Sequence, residues 1–244
     1  MRNLTETELL NVWENCMDRP LMETSLHLIA TASSVHDLSG VASLSIGQRD
    51  ARLLQLREWM FGPRLKNVAK CPHCSEKIEW ENEVKELRLQ PLLPGVGTIF
   101  DVTIETYHIS FRLPTSNDLF HLKQSSSQTP ARELLNRCIT SIRRENEIVV
   151  PSDLPVNVIE KINDLMNKED PQADIMMLLT CPSCKTQWQS GFDILSYFWS
   201  EINSWAKHLL QEIFILAKFF GWSEREILEI GPKRRRLYLE MVRA

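Results

Sequence analysis

The chain has 244 residues, of which 43% are hydrophobic and 25% charged, with a formal net charge of -4. This is the composition of a soluble globular protein of one large domain or two small ones, and its acidic balance argues against general nucleic-acid binding across the surface. No run approaches the roughly 18 apolar residues that span a bilayer, and the N-terminus, Met1-Arg2-Asn3-Leu4-Thr5-Glu6-Thr7, lacks the apolar core of an export signal.

From the N-terminus, Thr5-Glu6-Thr7-Glu8 predicts a helix opened by a capping box, with Leu9, Leu10, Val12 and Trp13 as its apolar positions. Pro20 suits the first turn of a second helix carrying Leu21, Leu26, Leu28 and Ile29. Small residues from Ser33 to Ser45, with His36 and Gly40 among them, predict a loop. In Arg49 to Met60, Leu53, Leu56 and Met60 recur at helical spacing, and Gly62-Pro63 ends the helix. The chain then runs through Leu65 and Val68 to Cys71-Pro72-His73-Cys74.

Beyond that motif, Lys77-Ile78-Glu79-Trp80-Glu81 alternates polar and apolar, as a half-buried strand does. Pro91, Pro94, Gly95 and Gly97 mark a break. Two strands follow, Phe100 to Glu105 and His108 to Leu113, joined by a turn at Thr106-Tyr107. Pro114 stops the second, and Ser116 or Asn117 caps a short helix with Leu119, Phe120 and Leu122. The serine-rich stretch Lys123 to Gln128 reads as a linker.

Thr129-Pro130 is expected to start a helix through Leu134, Leu135, Cys138 and Ile142. Another, Pro155 to Met166, carries Val158, Ile159, Ile162 and Leu165. The continuous apolar run Ile175 to Leu179 predicts a fully buried strand entering the second motif, Cys181-Pro182-Ser183-Cys184. Past it, Ile194, Phe198, Ile202, Trp205, Leu209, Ile213, Leu216 and Phe220 step by three or four, giving a long amphipathic helix. Gly221 is placed as its C′ glycine. Ser223-Glu224-Arg225-Glu226 is a second capping box, and Gly231-Pro232 precedes a final helix from Lys233 to Val242.

Four of the six cysteines stand in the two C-P-x-C motifs, and Cys16 and Cys138 read as small buried hydrophobes. Each motif precedes a short strand with a tryptophan, Trp80 or Trp188, so the two resemble the paired knuckles of a zinc ribbon. A C-x2-C turn aims two thiolates at one metal, and two such turns fill a tetrahedral sphere with no position left for substrate. Cys71, Cys74, Cys181 and Cys184 are therefore the expected ligands of one structural zinc, with the intervening segment a folded insertion. Two separate sites, a vestigial site, a redox pair or substitution by His73 are the alternatives. No histidine is followed by x-Glu, and there is no H-E-x-x-H, phosphate-binding G-x-x-x-x-G-K or G-x-S-x-G, so catalytic machinery is not expected.

Two further features stand out. The aromatic set Phe198, Trp199, Trp205, Phe219, Phe220 and Trp222 is larger than a core helix requires; ordinary packing accounts for some of it, and part is expected to dock a partner protein. The cluster Lys233-Arg234-Arg235-Arg236 is either a solvated helix face or a contact for nucleic acid or an acidic partner.

Most of the chain resembles the zinc-ribbon-bearing proteins of contractile phage tails and contractile injection systems, akin to the baseplate hub assembly chaperone family. The residues that carry the resemblance run from Ile46-Gly47-Gln48-Arg49-Asp50 through Phe61-Gly62 and the first C-P-x-C to Phe111-Arg112-Leu113-Pro114-Thr115 and Asp170-Pro171-Gln172-Ala173-Asp174. They continue with the second C-P-x-C, Phe192-Asp193-Ile194, Phe220-Gly221-Trp222-Ser223-Glu224 and Arg235-Arg236-Leu237-Tyr238-Leu239-Glu240. Ser75 and Lys185 stand where zinc ribbons often carry glycine, which bears on the turns and not on the four ligands. The resemblance implies a non-enzymatic role in baseplate or hub assembly.

The expected fold is α+β, mainly helical, with a small antiparallel zinc-ribbon sheet formed by the two distant knuckles. The expected regions are helical 1–69, a zinc-ribbon region 70–192 with a β/α insertion, and helical 193–244. The expected partners are baseplate or hub subunits, with no small-molecule substrate and no membrane insertion, and the expected location is the cytoplasm or a contractile particle. A zinc-ribbon regulator that binds nucleic acid through Lys233 to Arg236 is the alternative.

Overall fold

The computed structural model describes residues 1–33, 37–89, 95–124, 129–145 and 147–243, without the side chains of 123, 124 and 243. In chain order the helices are α1 (Glu6–Cys16), α2 (Leu21–Ala32), α3 (Leu38–Ala42), α4 (Ile46–Phe61), α5 (Val84–Leu87), α6 (Ser116–Gln124), α7 (Pro130–Cys138), α8 (Val156–Glu169), α9 (Ile194–Phe220), α10 (Glu224–Glu229) and α11 (Pro232–Arg243). The strands are β1 (Arg64–Lys70), β2 (Lys77–Glu83), β3 (Ile99–Ile104), β4 (Tyr107–Arg112), β5 (Ile139–Arg144), β6 (Glu147–Ile148), β7 (Met176–Thr180) and β8 (Gln187–Gly191). They form two compact units, one of Met1–Ser34 with Leu195–Ala244 and one of Val35–Ile194. His36, Pro91, Pro94 and the serine-rich stretch 125–128 lie outside the described residues.

The first unit joins the two ends of the chain. Its α1 opens at the expected capping box, in which Thr5 Oγ1 accepts from the Glu8 amide at 3.2 Å and the Glu8 carboxylate accepts from the Thr5 amide at 2.9 Å. Leu9, Leu10, Val12, Trp13 and Cys16 face the core. Along α9 the buried residues are Phe198, Ile202, Ala206, Leu209, Ile213 and Leu216, a stripe at helical spacing. Trp13 Nε1 donates to Asn203 Oδ1 at 2.8 Å and ties α1 to α9.

Arg235 locks this unit together. It is only 2% exposed, and its guanidinium donates to both Glu6 oxygens at 2.7 and 2.8 Å, to Glu212 at 3.3 Å and to the Ile230 carbonyl at 2.7 Å. A planar fork with five donors meets that combination, and an ammonium does not. Burial works against the charge, but Glu6 and Glu212 outweigh it and raise the pKa.

The second unit holds both cysteine motifs. Each sits at the tip of a two-stranded antiparallel hairpin, β1-β2 with Lys70 opposite Lys77 and β7-β8 with Thr180 opposite Gln187. Between the hairpins lies the insertion, a four-stranded antiparallel sheet of order β3-β4-β5-β6. Its core sets Ile109, Phe111 and Ile142 of the sheet against Val158, Ile162 and Met166 of α8.

The insertion is fastened to α4 by the Pro114-Thr115 turn. The Ile46 amide donates to the Pro114 carbonyl at 3.0 Å, and Ser45 bridges Thr115. Behind the turn, the buried Asp118 takes a bidentate pair from Arg112 at 2.7 and 2.8 Å and accepts from the Thr115 amide and hydroxyl at 2.9 and 2.8 Å. Burial pushes the Asp118 pKa up, but Arg112 and Thr115 outweigh it and hold the carboxyl at about 2.

The α+β expectation agrees with this architecture, and four details differ. The strands form two hairpins and a separate four-stranded sheet, where one small sheet was expected. The helix expected through Ile142 ends at Cys138, and Ile139–Arg144 is a strand. A bulge at Thr140 lets Ile139 and Ile142 both face inward, so a three-residue spacing that reads as helical belongs to β structure. β7 is not fully buried: Met176 and Leu178 point to water, the latter 68% exposed, because a two-stranded hairpin has only one covered face. The β3-β4 turn falls at Glu105-Thr106, with Glu105 in the left-handed region at φ 56°.

Two outcomes are expected from these contacts. Arg235→Met leaves two carboxylates without their cation and costs about 3 kcal/mol in thermal unfolding, while Arg235→Lys recovers little of it. The Asp118 carboxyl lies below its ordinary value, so its contribution is present above about pH 4 and is lost as the pH falls toward 2. Stability measured against pH should show that loss in the wild type, and Asp118→Asn should lack its share of the slope.

Candidate metal centre

The two knuckles share one backbone design. In the first, the Cys71 amide donates to the Glu76 carbonyl at 2.9 Å and the Ser75 amide to the Cys71 carbonyl at 2.9 Å. In the second, Cys181 donates to Thr186 at 2.9 Å and Lys185 to Cys181 at 3.0 Å. Ser75 and Lys185 take φ values of 62° and 61°, in the left-handed region that glycine enters most easily. The chain therefore holds two non-glycine residues at the positions where zinc ribbons often carry glycine, and the turn is kept.

The four sulfurs converge. Cys71 Sγ lies 3.6 Å from Cys184 Sγ, and Cys74 Sγ lies 3.5 Å from Cys181 Sγ, pairs separated by 113 and 107 residues of chain. All four lie within 4.8 Å of one another. A tetrahedron of metal–sulfur bonds of about 2.3 Å has edges of about 3.8 Å, so this donor set is compatible with one tetrahedral metal. Cys71 and Cys181 are buried, Cys184 is half-buried and Cys74 is exposed.

Proton affinities at Cys184 and Cys74 diverge. The hydroxyl and amide of Thr186 draw the Cys184 thiol down to about 5, with the Thr186 Oγ1 at 3.3 Å. At Cys74 a backbone hydrogen bond at Glu76 lowers the pKa, but desolvation and the other three sulfurs prevail and push it to about 12. Thiolates held this close repel one another, and a dication bound among them would offset that repulsion.

What brings the knuckles together is a clasp at their bases. A 3-10 turn at Pro171–Ala173, just ahead of β7, seats on the start of α4. The buried Asp170 accepts from the Gly47 amide at 3.0 Å. Gly47 has no room for a side chain: a Cβ there would run into the Asp170 carboxylate and lie 2.9 Å from the Ala173 amide. Gln172 is fully buried, accepts from the Leu89 amide at 2.7 Å and donates to the Leu87 carbonyl at 3.2 Å. Because α5 continues directly from β2, Gln172 fastens the base of the second hairpin to the base of the first.

The ground beneath the clasp is charged. Arg49 Nε donates to Asp50 at 2.7 Å, and both are buried. Burial raises the Asp50 carboxyl to about 6, against the pull of Arg49 and with repulsion from Asp193 and Asp170. Burial raises Asp170 too, against the Gly47 amide.

The aromatic residues singled out from the sequence are dispersed. Phe198 is 1% exposed and belongs to the buried stripe of α9, so it leaves the docking set: its position is in step with Ile194 and Ile202 on the covered face. Trp199, Trp205 and Trp222 are half-buried, Phe220 is partly exposed and Phe219 is 60% exposed. Phe220 stacks on Trp222 with centroids 4.6 Å apart, and Tyr238 meets both edge-on at 5.7 and 5.0 Å. Exposed apolar residues outside that set include Phe214 on α9 and Leu237 and Met241 on α11. Plotting each helix as a wheel finds them, since each lies opposite its helix's buried stripe. The basic cluster is also divided: Arg235 points inward to Glu6, while Lys233, Arg234 and Arg236 are exposed.

Replacing Gly47 with alanine forces Asp170 off its seat. The expected cost is about 2 kcal/mol in denaturant unfolding. Gln172→Ala, which leaves the buried Leu87 carbonyl and the partly buried Leu89 amide without their partner, is expected to cost about as much.

Residues 6–199 match the family model described as T4 bacteriophage base plate protein, and the chain belongs to that family. No curated protein and no solved structure gives a significant match. Membership supports a structural, baseplate-associated role, in agreement with the baseplate part of the resemblance read from the sequence. No helix among the described residues is long and apolar enough to cross a membrane.

Proposed function

We propose that this member of the base plate family is a non-enzymatic assembly protein that docks on baseplate or hub subunits, with one structural zinc holding its fold. The observation that carries the zinc is the meeting of Cys71, Cys74, Cys181 and Cys184 from sites more than a hundred residues apart. Bound there, zinc has four sulfur ligands and no open position, so it serves as a cross-link and not as a Lewis acid. Closing so long a loop confers more stability than closing a short one.

Docking falls to the terminal unit, where Phe219 and Phe220, with the half-buried Trp199, Trp205 and Trp222, offer apolar helix surface. A contiguous apolar patch left open to water is the usual mark of a protein contact, and the stacked Phe220 and Trp222 beside Phe219 are its candidates here. The chain acts stoichiometrically, either as a chaperone that leaves or as a component that stays in the particle.

Two measurements test this. Metal analysis of the purified chain is expected to find one zinc per chain, and Cys71→Ser or Cys181→Ser, at the buried ligands, is expected to lose the metal and much of the thermal stability. Co-expression with the baseplate proteins encoded beside it is expected to give a stable complex. Metal-free protein of unchanged stability contradicts the zinc assignment, and failure to bind any of those proteins contradicts the assembly role.

A further inference from the structure

We propose that the outward face of α11 docks into an apolar groove rimmed by acidic residues on a baseplate subunit, an inference that rests on the assembly role above. Lys233, Leu237 and Met241 follow one another at single-turn spacing on that face. Leu237 is 56% exposed and Met241 68%. Arg234 and Arg236 flank them, and both are exposed. The side chains of Lys233, Arg234 and Arg236 form no ion pair among the described residues, and against the single carboxylate of Glu240 on that face they leave a net positive charge beside two apolar side chains.

The opposite face fixes the helix in place. Arg235 and Leu239 are buried, and the fork of Arg235 binds carboxylates of α1 and α9 as well as the Ile230 carbonyl. The outward face is therefore presented on a rigid support, which lowers the ordering cost of docking. Charge selects the occupant. An island of three cations on a chain of net charge -4 is complemented by carboxylates. Leu237 and Met241 beside it call for an apolar floor, as in helix-in-groove recognition. A nucleic-acid backbone offers no such floor. Two apolar side chains on a short helix are too few to hold a lipid surface.

The full chain, co-expressed with the baseplate proteins encoded beside it, provides the test. Two variants are compared with the wild type: Lys233→Glu with Arg234→Glu and Arg236→Glu, and Leu237→Ser with Met241→Ser. All five positions are at the surface, so both variants should melt with the wild type. Each is expected to lower recovery of the bound subunit about tenfold, and a zero-length carbodiimide cross-link should join Lys233 to an Asp or Glu of that subunit. Undiminished recovery by both variants overturns the α11 assignment and leaves the assembly role standing. A wild type that binds none of the subunits overturns the assembly role and this inference with it. Retention of duplex DNA or phosphatidylglycerol vesicles by the wild type, lost in the charge-reversed variant, assigns the face to a nucleic acid or a membrane and overturns the protein groove.

Discussion

Asp170 and Gln172 seat on α4 and α5 and fasten the base of the second hairpin to that of the first. That contact has no tolerance at Gly47, where the backbone of the 3-10 turn comes too close for any side chain. Three short stretches, around Gly47, around Leu87 and from Asp170 to Ala173, thus define where two hairpins begin, and the hairpins define where four sulfurs end. The insertion between them is attached just after β4, where the Ile46 amide donates to the Pro114 carbonyl. α4 is the common floor of both attachments.

Clasp and metal site divide the labour. Hydrogen bonds and close packing orient the two hairpins, but each bond of that kind contributes modestly on balance. The sulfurs by themselves would repel one another once ionised, being like charges within 4.8 Å. A dication reverses the sign of that interaction. Site and clasp would therefore stabilise each other: the turn brings the four cysteines near, and a metal bound among them would keep the turn seated. The terminal unit uses a different device for the same end, a buried guanidinium shared between Glu6 and Glu212.

Much of this was legible in the sequence because it follows from local chemistry. The capping boxes at Thr5 and Ser223, the stop at Gly62 and the stripe of α9 depend on residues a few positions apart. The convergence of the cysteines was legible for another reason, since two C-P-x-C turns of like surroundings have one chemical use in common. Illegible features depend on distant partners or on a break in period. The bulge at Thr140 gives β5 the spacing of a helix, and the seating of Gln172 on Leu87 and Leu89 is a long-range match with no local sign. Gly47 and Gln172 stood inside stretches that carried the family resemblance, but only the packing explains why those residue types are there. Phe198 misled because an aromatic side chain at helical spacing suits a core as well as a docking surface.

The central claim is that four thiolates from two distant turns hold one zinc ion in a closed sphere. Zinc K-edge X-ray absorption on the purified chain measures this directly. The account predicts a single shell of four sulfurs at about 2.3 Å. A shell with nitrogen or oxygen in place of sulfur, or with only two sulfurs per zinc, would contradict it.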